Sequence, residues 1–135
     1  MPAPGGARYI AGMEIALHLG VHHTDQDHLL RCLMRNRAVL LEQGIAVPGP
    51  GRYRRQLRQL AFDMRDRETS AATQEALLDG ILDEDEIQRV VFSSPDLLAL
   101  PQWAVTQGRF YHAAGERLAL LRRLFPAAQV EVFLA

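Results

Sequence analysis

Glu14–Leu30 reads E-I-A-L-H-L-G-V-H-H-T-D-Q-D-H-L-L, and the order of its parts decides the fold class. A short apolar run, Ile15–Gly20, has the length and the terminal glycine of a buried strand. A polar stretch follows, and then an amphipathic helix in which Leu29, Leu30, Leu33, Leu40 and Leu41 form one stripe. Thr24 or Asp25 can cap that helix, because their side-chain oxygens accept from the free N–H groups of a first turn. Gly44 ends it. Strand, tight loop and helix N-terminus in this order form a cradle for an anion. Such a loop normally carries a lysine and a glycine, and this one has neither after Gly20.

Outward from that stretch the alternation continues. Ile45–Gly51 is a turn-rich connection (I-A-V-P-G-P-G). Arg52–Arg67 is predicted helical, with Tyr53, Leu57, Leu60, Ala61 and Met64 on one face and arginines on the other. Thr69–Leu82 is a third helix, and the acidic run Asp83–Glu86 reads as a solvated turn. Arg89–Ser94 (R-V-V-F-S-S) is a second strand, closed by Pro95. Asp96–Arg109 is looser, Phe110–Phe125 is helical, and Val130–Ala135 is a third strand. Strands separated by helical stretches imply right-handed crossovers. The expected fold is therefore α/β: a three-layer arrangement with a parallel sheet of three strands flanked by helices.

Composition narrows the chemistry. The 135 residues suit one domain with a sizeable core, and a net charge of −1 gives no push toward nucleic acid or anionic lipid. All fifteen basic residues are arginine, so lysine chemistry is excluded. The single cysteine, Cys32, excludes an internal disulfide and falls at an apolar helical spacing that reads as a buried, inert thiol. No apolar run approaches a membrane span, and residues 1–12 have the look of a flexible leader without a secretion signal. The expectation is a cytoplasmic protein whose folded part is residues 13–135.

Residues 18–51 (H-L-G-V-H-H-T-D-Q-D-H-L-L-R-C-L-M-R-N-R-A-V-L-L-E-Q-G-I-A-V-P-G-P-G) resemble the N-terminal region of bacterial sulfotransferase-like P-loop proteins. The usual pattern there is H-x-G-x-H-K-T-G-T-T, then a helix with N-R, then a G-I-x-x-P-G turn. His18, Gly20, His22, Thr24, Asn36, Arg37, Gly44, Ile45, Pro48 and Gly49 match. V-V-F-S-S-P at 90–95 is similar to that family's second strand, F-Y-H-A-A-G-E-R-L-A-L-L-R-R-L-F at 110–125 to its next helix, and V-E-V-F-L-A to the strand before an R-x-P motif.

The resemblance implies sulfuryl transfer from 3′-phosphoadenosine 5′-phosphosulfate (PAPS), or binding of the product nucleotide PAP. The donor site would comprise Gly20, His22, His23, Thr24, Asp25, Gln26 and Asp27, with Ser93 and Ser94 at the second strand. His23 stands at the position of the catalytic lysine, Asp25 at that of the glycine, and Gln26 and Asp27 at those of two hydroxyl residues. Pro95 stands where an acidic base follows the paired serines, which leaves Asp96 as the candidate base. The family's 3′-phosphate contacts follow the third strand, so the expectation is a partial domain of a longer protein. It would self-associate or dock to a missing C-terminal half. Two carboxylates at a helix start suit the helix dipole but repel a phosphosulfate. At about 4 Å and an effective dielectric of about 20, one such contact costs about 4 kcal/mol. Weak or absent nucleotide binding follows as the expectation, leaving a non-catalytic binding or assembly module, or a small-anion binder, as the alternatives.

Other readings stay open from the residues alone. His18 reads as a hydrogen-bonded core residue. His22 and His23 with Asp25 or Asp27 could ligate zinc, or His23 could act as a pH-dependent cation. Arg52, Arg54, Arg55 and Arg58 read as a solvated face, with anion binding as the alternative.

Overall fold

The computed structural model describes residues 9–19, 27–64, 66–67, 69–84, 86–94, 105–106, 108–110 and 114–133. Among them a four-stranded, all-parallel sheet organises the chain, with helices on its faces. β1 is Tyr9–His18, β2 Ile45–Ala46 and β3 Ile87–Ser93. β4 (Val105–Thr106) and β5 (Arg109–Phe110) pair antiparallel as a separate two-stranded unit, and β6 is Gln129–Phe133. The main sheet runs β2-β3-β1-β6. The α/β parallel expectation holds, with four strands instead of three. β2 was read as part of a turn because two residues carry no strand periodicity.

β1 is longer than its sequence suggests. It begins at Tyr9, inside the stretch read as a leader, and Tyr9 pairs with Ile87. The register then slips before Glu14 meets Arg89. Gly12 lies in that slip at φ +94°, a backbone setting that a side chain would strain. Beyond it the ladder is regular: Ile15–Val90, Leu17–Phe92 and His18–Ser93 on one side, Ile15–Val130 and His18–Phe133 on the other.

Among the described residues five α-helices connect the strands. α1 (His28–Arg35) and α2 (Arg37–Glu42) lead from β1 to β2. A 3-10 turn at Pro50–Arg52, α3 (Arg54–Asp63) and α4 (Ala71–Ile81) lead from β2 to β3, and α5 (Ala114–Arg123) leads from β3 to β6. The first crossover runs one way across the sheet and the later two run the other way. Right-handedness therefore puts α1 and α2 on one face and α3, α4 and α5 on the opposite face. α3 packs against α5, as this requires.

The dry core lies on the α3–α5 side. Met13, Ile15, Leu17, Val90 and Phe92 point there and meet Tyr53, Leu57, Leu78, Ile81, Leu121 and Phe125. Phe92 sits between Tyr53 and Phe125, with ring centroids 4.8 and 5.9 Å away. The apolar face read for α3, Tyr53, Leu57, Leu60, Ala61 and Met64, is the one that packs. Ser70 caps α4 by accepting from the Thr73 N–H, and the buried Gln74 amide oxygen accepts from the Ala127 N–H at 2.9 Å.

The α1–α2 side corrects the reading. One helix was expected, and Asn36 divides it into two. The Asn36 side chain donates to the Cys32 carbonyl at 2.9 Å, which satisfies the end of α1 while the backbone departs from helical form. The leucine stripe does not bury: only Leu30 does, and Leu29 and Leu41 are 40% and 36% exposed. Cys32 is exposed, not buried, because the stripe containing it never meets a second apolar layer. Likewise the fifth helix starts at Ala114, not Phe110, since Arg109–Phe110 pairs with Val105–Thr106. No helix among the described residues is long and apolar enough to cross a membrane.

Candidate site at the β1–β3 crevice

β1 and β3 are neighbours whose outgoing connections leave in opposite directions along the sheet, β1 toward β2 and β3 toward β6. In open α/β sheets the crevice beyond the carboxyl ends of such a pair is the place where ligands bind. His18 and Ser93 end the two strands in register.

Their side chains meet. His18 Nδ1 lies 2.8 Å from Ser93 Oγ, both groups being buried. His18 is 5% exposed, and its Nε2 has no hydrogen-bond partner among the described residues. Ser94 continues the ladder by donating its N–H to the His18 carbonyl at 3.0 Å.

α3 reaches the same point. The turn Val47–Gly51 delivers Tyr53 to full burial, and its hydroxyl donates to the Ser93 carbonyl at 3.1 Å and accepts from the Ser93 N–H at 2.9 Å. Burial pushes the Tyr53 hydroxyl above its ordinary pKa, against the lowering effect of the Ser93 contact. With Tyr53 anchored, Arg54 at the start of α3 is fixed over the end of β3. Its Nε donates to the Ser93 carbonyl at 2.8 Å.

The rest of the Arg54 fork grips Asp27. The two terminal nitrogens donate to Oδ1 and Oδ2 at 2.6 and 3.2 Å. Asp27 immediately precedes α1 in the left-handed region, φ 63°, and its side chain does not cap the helix. Its carboxylate is turned toward Arg54 instead. The hydrogen bond from Arg54 holds the Asp27 carboxyl below its ordinary pKa, outweighing partial burial, with further help from the charges of Arg54 and Arg31. Partial burial disfavours the Arg54 charge, but Asp27 outweighs that and raises the guanidinium pKa.

Of the residues proposed from sequence, Asp27, Ser93 and Ser94 lie at this crevice. Gly20, His22, His23, Thr24, Asp25, Gln26 and Asp96 lie outside the described residues. The N-cap position of α1 is Asp27, not Thr24 or Asp25, and its side chain makes no cap bond. The His18 reading holds, with Ser93 as the partner that sequence could not name. The Tyr53 hydroxyl and the Arg54–Asp27 pair were missed as a unit. Positions 27 and 54 meet only because α1 and α3 both begin beyond the adjacent ends of β1 and β3, and no local spacing carries that information.

The described residues hold no group of three or more His, Cys, Asp or Glu side chains placed for a metal. A cleft of about 430 Å³ lies beside β2, with Leu41, Pro48, Ile81, Arg52 and Asp83 among its lining. Among the described crevice residues, the fork of Arg54 is taken by the Asp27 carboxylate. Comparison with protein-family models, curated proteins and solved structures finds no match.

Proposed function

We propose that this chain is a sulfotransferase-like α/β domain that has kept the architecture of a PAPS-dependent transferase and serves as a non-catalytic binding or assembly module. The single observation that carries the reading is the Asp27–Arg54 pair. A carboxylate at the start of the first helix holds the fork of the nearest arginine. In water a ligand anion would have to displace that carboxylate and then bear its repulsion. The sequence departures in the loop act in the same direction, because His23 and Asp25 replace the lysine and glycine that favour a phosphosulfate.

Thermal unfolding with PAP tests this. A ligand that binds only the folded state stabilises it by an amount that grows with concentration over Kd. The expected result is no resolvable rise in Tm at millimolar PAP. A rise of several degrees, saturating with concentration, would overturn the non-catalytic reading and restore a nucleotide site.

A small-anion binder is the second reading, and the Arg54 guanidinium is the observation that favours it. Planar arginine forks match tetrahedral oxyanions as well as carboxylates.

A further inference from the structure

We infer that Arg54 is the oxyanion-binding residue of the β1–β3 crevice and that Asp27 is its built-in competitor. This rests on the small-anion form of the reading above and extends it to a residue outside the loop. The chain has no lysine, so the cation of the site must be histidine or arginine. Two arginines reach Asp27: Arg31 of α1 lies against its backbone carbonyl, and Arg54, delivered from α3 and not from the loop after β1, is the one fixed on the end of β3 with its fork on the carboxylate.

Three features set it up for this role. Its Nε is fixed on the Ser93 carbonyl at 2.8 Å, so the plane of the guanidinium is defined before any ligand arrives. Its two terminal nitrogens hold a two-oxygen acceptor at 2.6 and 3.2 Å, the fork geometry that sulfate and phosphate also use. His18, which meets the same Ser93 through Nδ1, is buried, and its Nε2 lacks a partner among the described residues. A buried polar atom in that state gains free energy from any group that satisfies it. The Asp27 carboxylate contributes nothing to capping α1, so releasing it leaves the helix without a lost cap bond. The ligand class is a small tetrahedral oxyanion, either free or as the end group of a larger molecule.

The test is calorimetric titration of inorganic sulfate into wild-type protein, Asp27→Asn and Asp27→Asn/Arg54→Gln, with the amide NMR spectrum of each checked for the native fold. Asp27→Asn should bind sulfate at least tenfold more tightly than wild type, and the double variant should lose that gain. An unchanged affinity in Asp27→Asn, or a gain that survives Arg54→Gln, overturns the inference. If Asp27→Asn does not fold, wild type still decides it: sulfate at high concentration should shift the Arg54 Nε–H resonance, and an unmoved resonance overturns the inference. Repeating the titration with PAP separates the two sources of the oxyanion. A gain with both ligands supports the inference for an end group as well as a free ion. A gain with sulfate alone supports it for the free ion and leaves the non-nucleotide reading standing.

Discussion

The two faces of the sheet were built from the same strands and are covered in opposite ways. On the α3–α5 side, the inward residues are apolar and each covering helix buries apolar side chains against them: Tyr53, Leu57, Leu78 and Leu121 are all at or near zero exposure. On the α1–α2 side, β1, β3 and β6 present Glu14, Arg89 and Glu131, and Arg89 bridges to both glutamates at 2.6 and 3.5 Å. The two short helices there bury only Leu30. One face thus supplies most of the hydrophobic stabilisation. The other carries charge, exposed leucines and the opening of the crevice. Local periodicity looks alike on both sides, and what separates them is whether a second apolar layer exists to receive the stripe.

The sharpest break of that contrast is a pair of truncations. Phe92→Ala should destabilise the protein by about 3–5 kcal/mol, since it removes a fully buried ring between Tyr53 and Phe125 and leaves a cavity. Val39→Ala, on the opposite face and 55% exposed, should stay within about 0.5 kcal/mol. Urea unfolding of both variants measures the two numbers. A loss at Val39 comparable to that at Phe92 would show that the α1–α2 face is covered by something that buries it in solution.

The same contrast explains what could be read beforehand. The strand–helix order, the parallel sheet and the core face of α3 were legible, because those segments satisfy their own periodicity against a real neighbour. β2 was not, since two residues make no pattern. The burial of Leu29, Leu41 and Cys32 was misjudged, since amphipathicity states which face prefers to be covered and not whether it is. At the site, the paired serines could be singled out from their place at a strand end, and His18 from its place on a buried strand. The Asp27 carboxylate was recognised as a repulsive charge, but its neutralisation by Arg54 depends on strand order and was invisible to spacing.

A smaller effect probes the crevice at the boundary between the two faces. The folded-state pKa of Asp27 lies below its ordinary value of 3.8. Its contribution to stability is therefore complete above that value and is lost as pH falls through the lower, folded one. Asp27 faces Arg54 and Arg31, so its protonation leaves two guanidinium groups without their negative partner. Asp27→Asn should be less stable than wild type at neutral pH by no more than about 1 kcal/mol, because the carboxylate is partly exposed and screened. The two stability curves should converge between about pH 5 and pH 2. Denaturant midpoints measured across that range check the sign: a gap that widens toward acid would mean that Asp27 is stabilising through some contact other than Arg54.

The smallest effect belongs to a pair that looks similar on geometry alone. Arg52 and Asp83 are joined at 2.5 and 3.1 Å, a fork as short as that of Arg54 on Asp27. Their side chains are 43% and 72% exposed, however, at the rim of the cleft beside β2. Arg54 has its third contact on a buried carbonyl, so its fork is held in place before Asp27 arrives. Arg52 must order a mobile chain to meet an equally mobile carboxylate, and water competes for both. Asp83→Asn should leave Tm unchanged within error, and added salt should not alter wild type and variant differently. A Tm loss at Asp83→Asn that matches the one at Asp27→Asn would remove the distinction between a held fork and a solvated one, and with it the reason for assigning the oxyanion to Arg54 and not to Arg52.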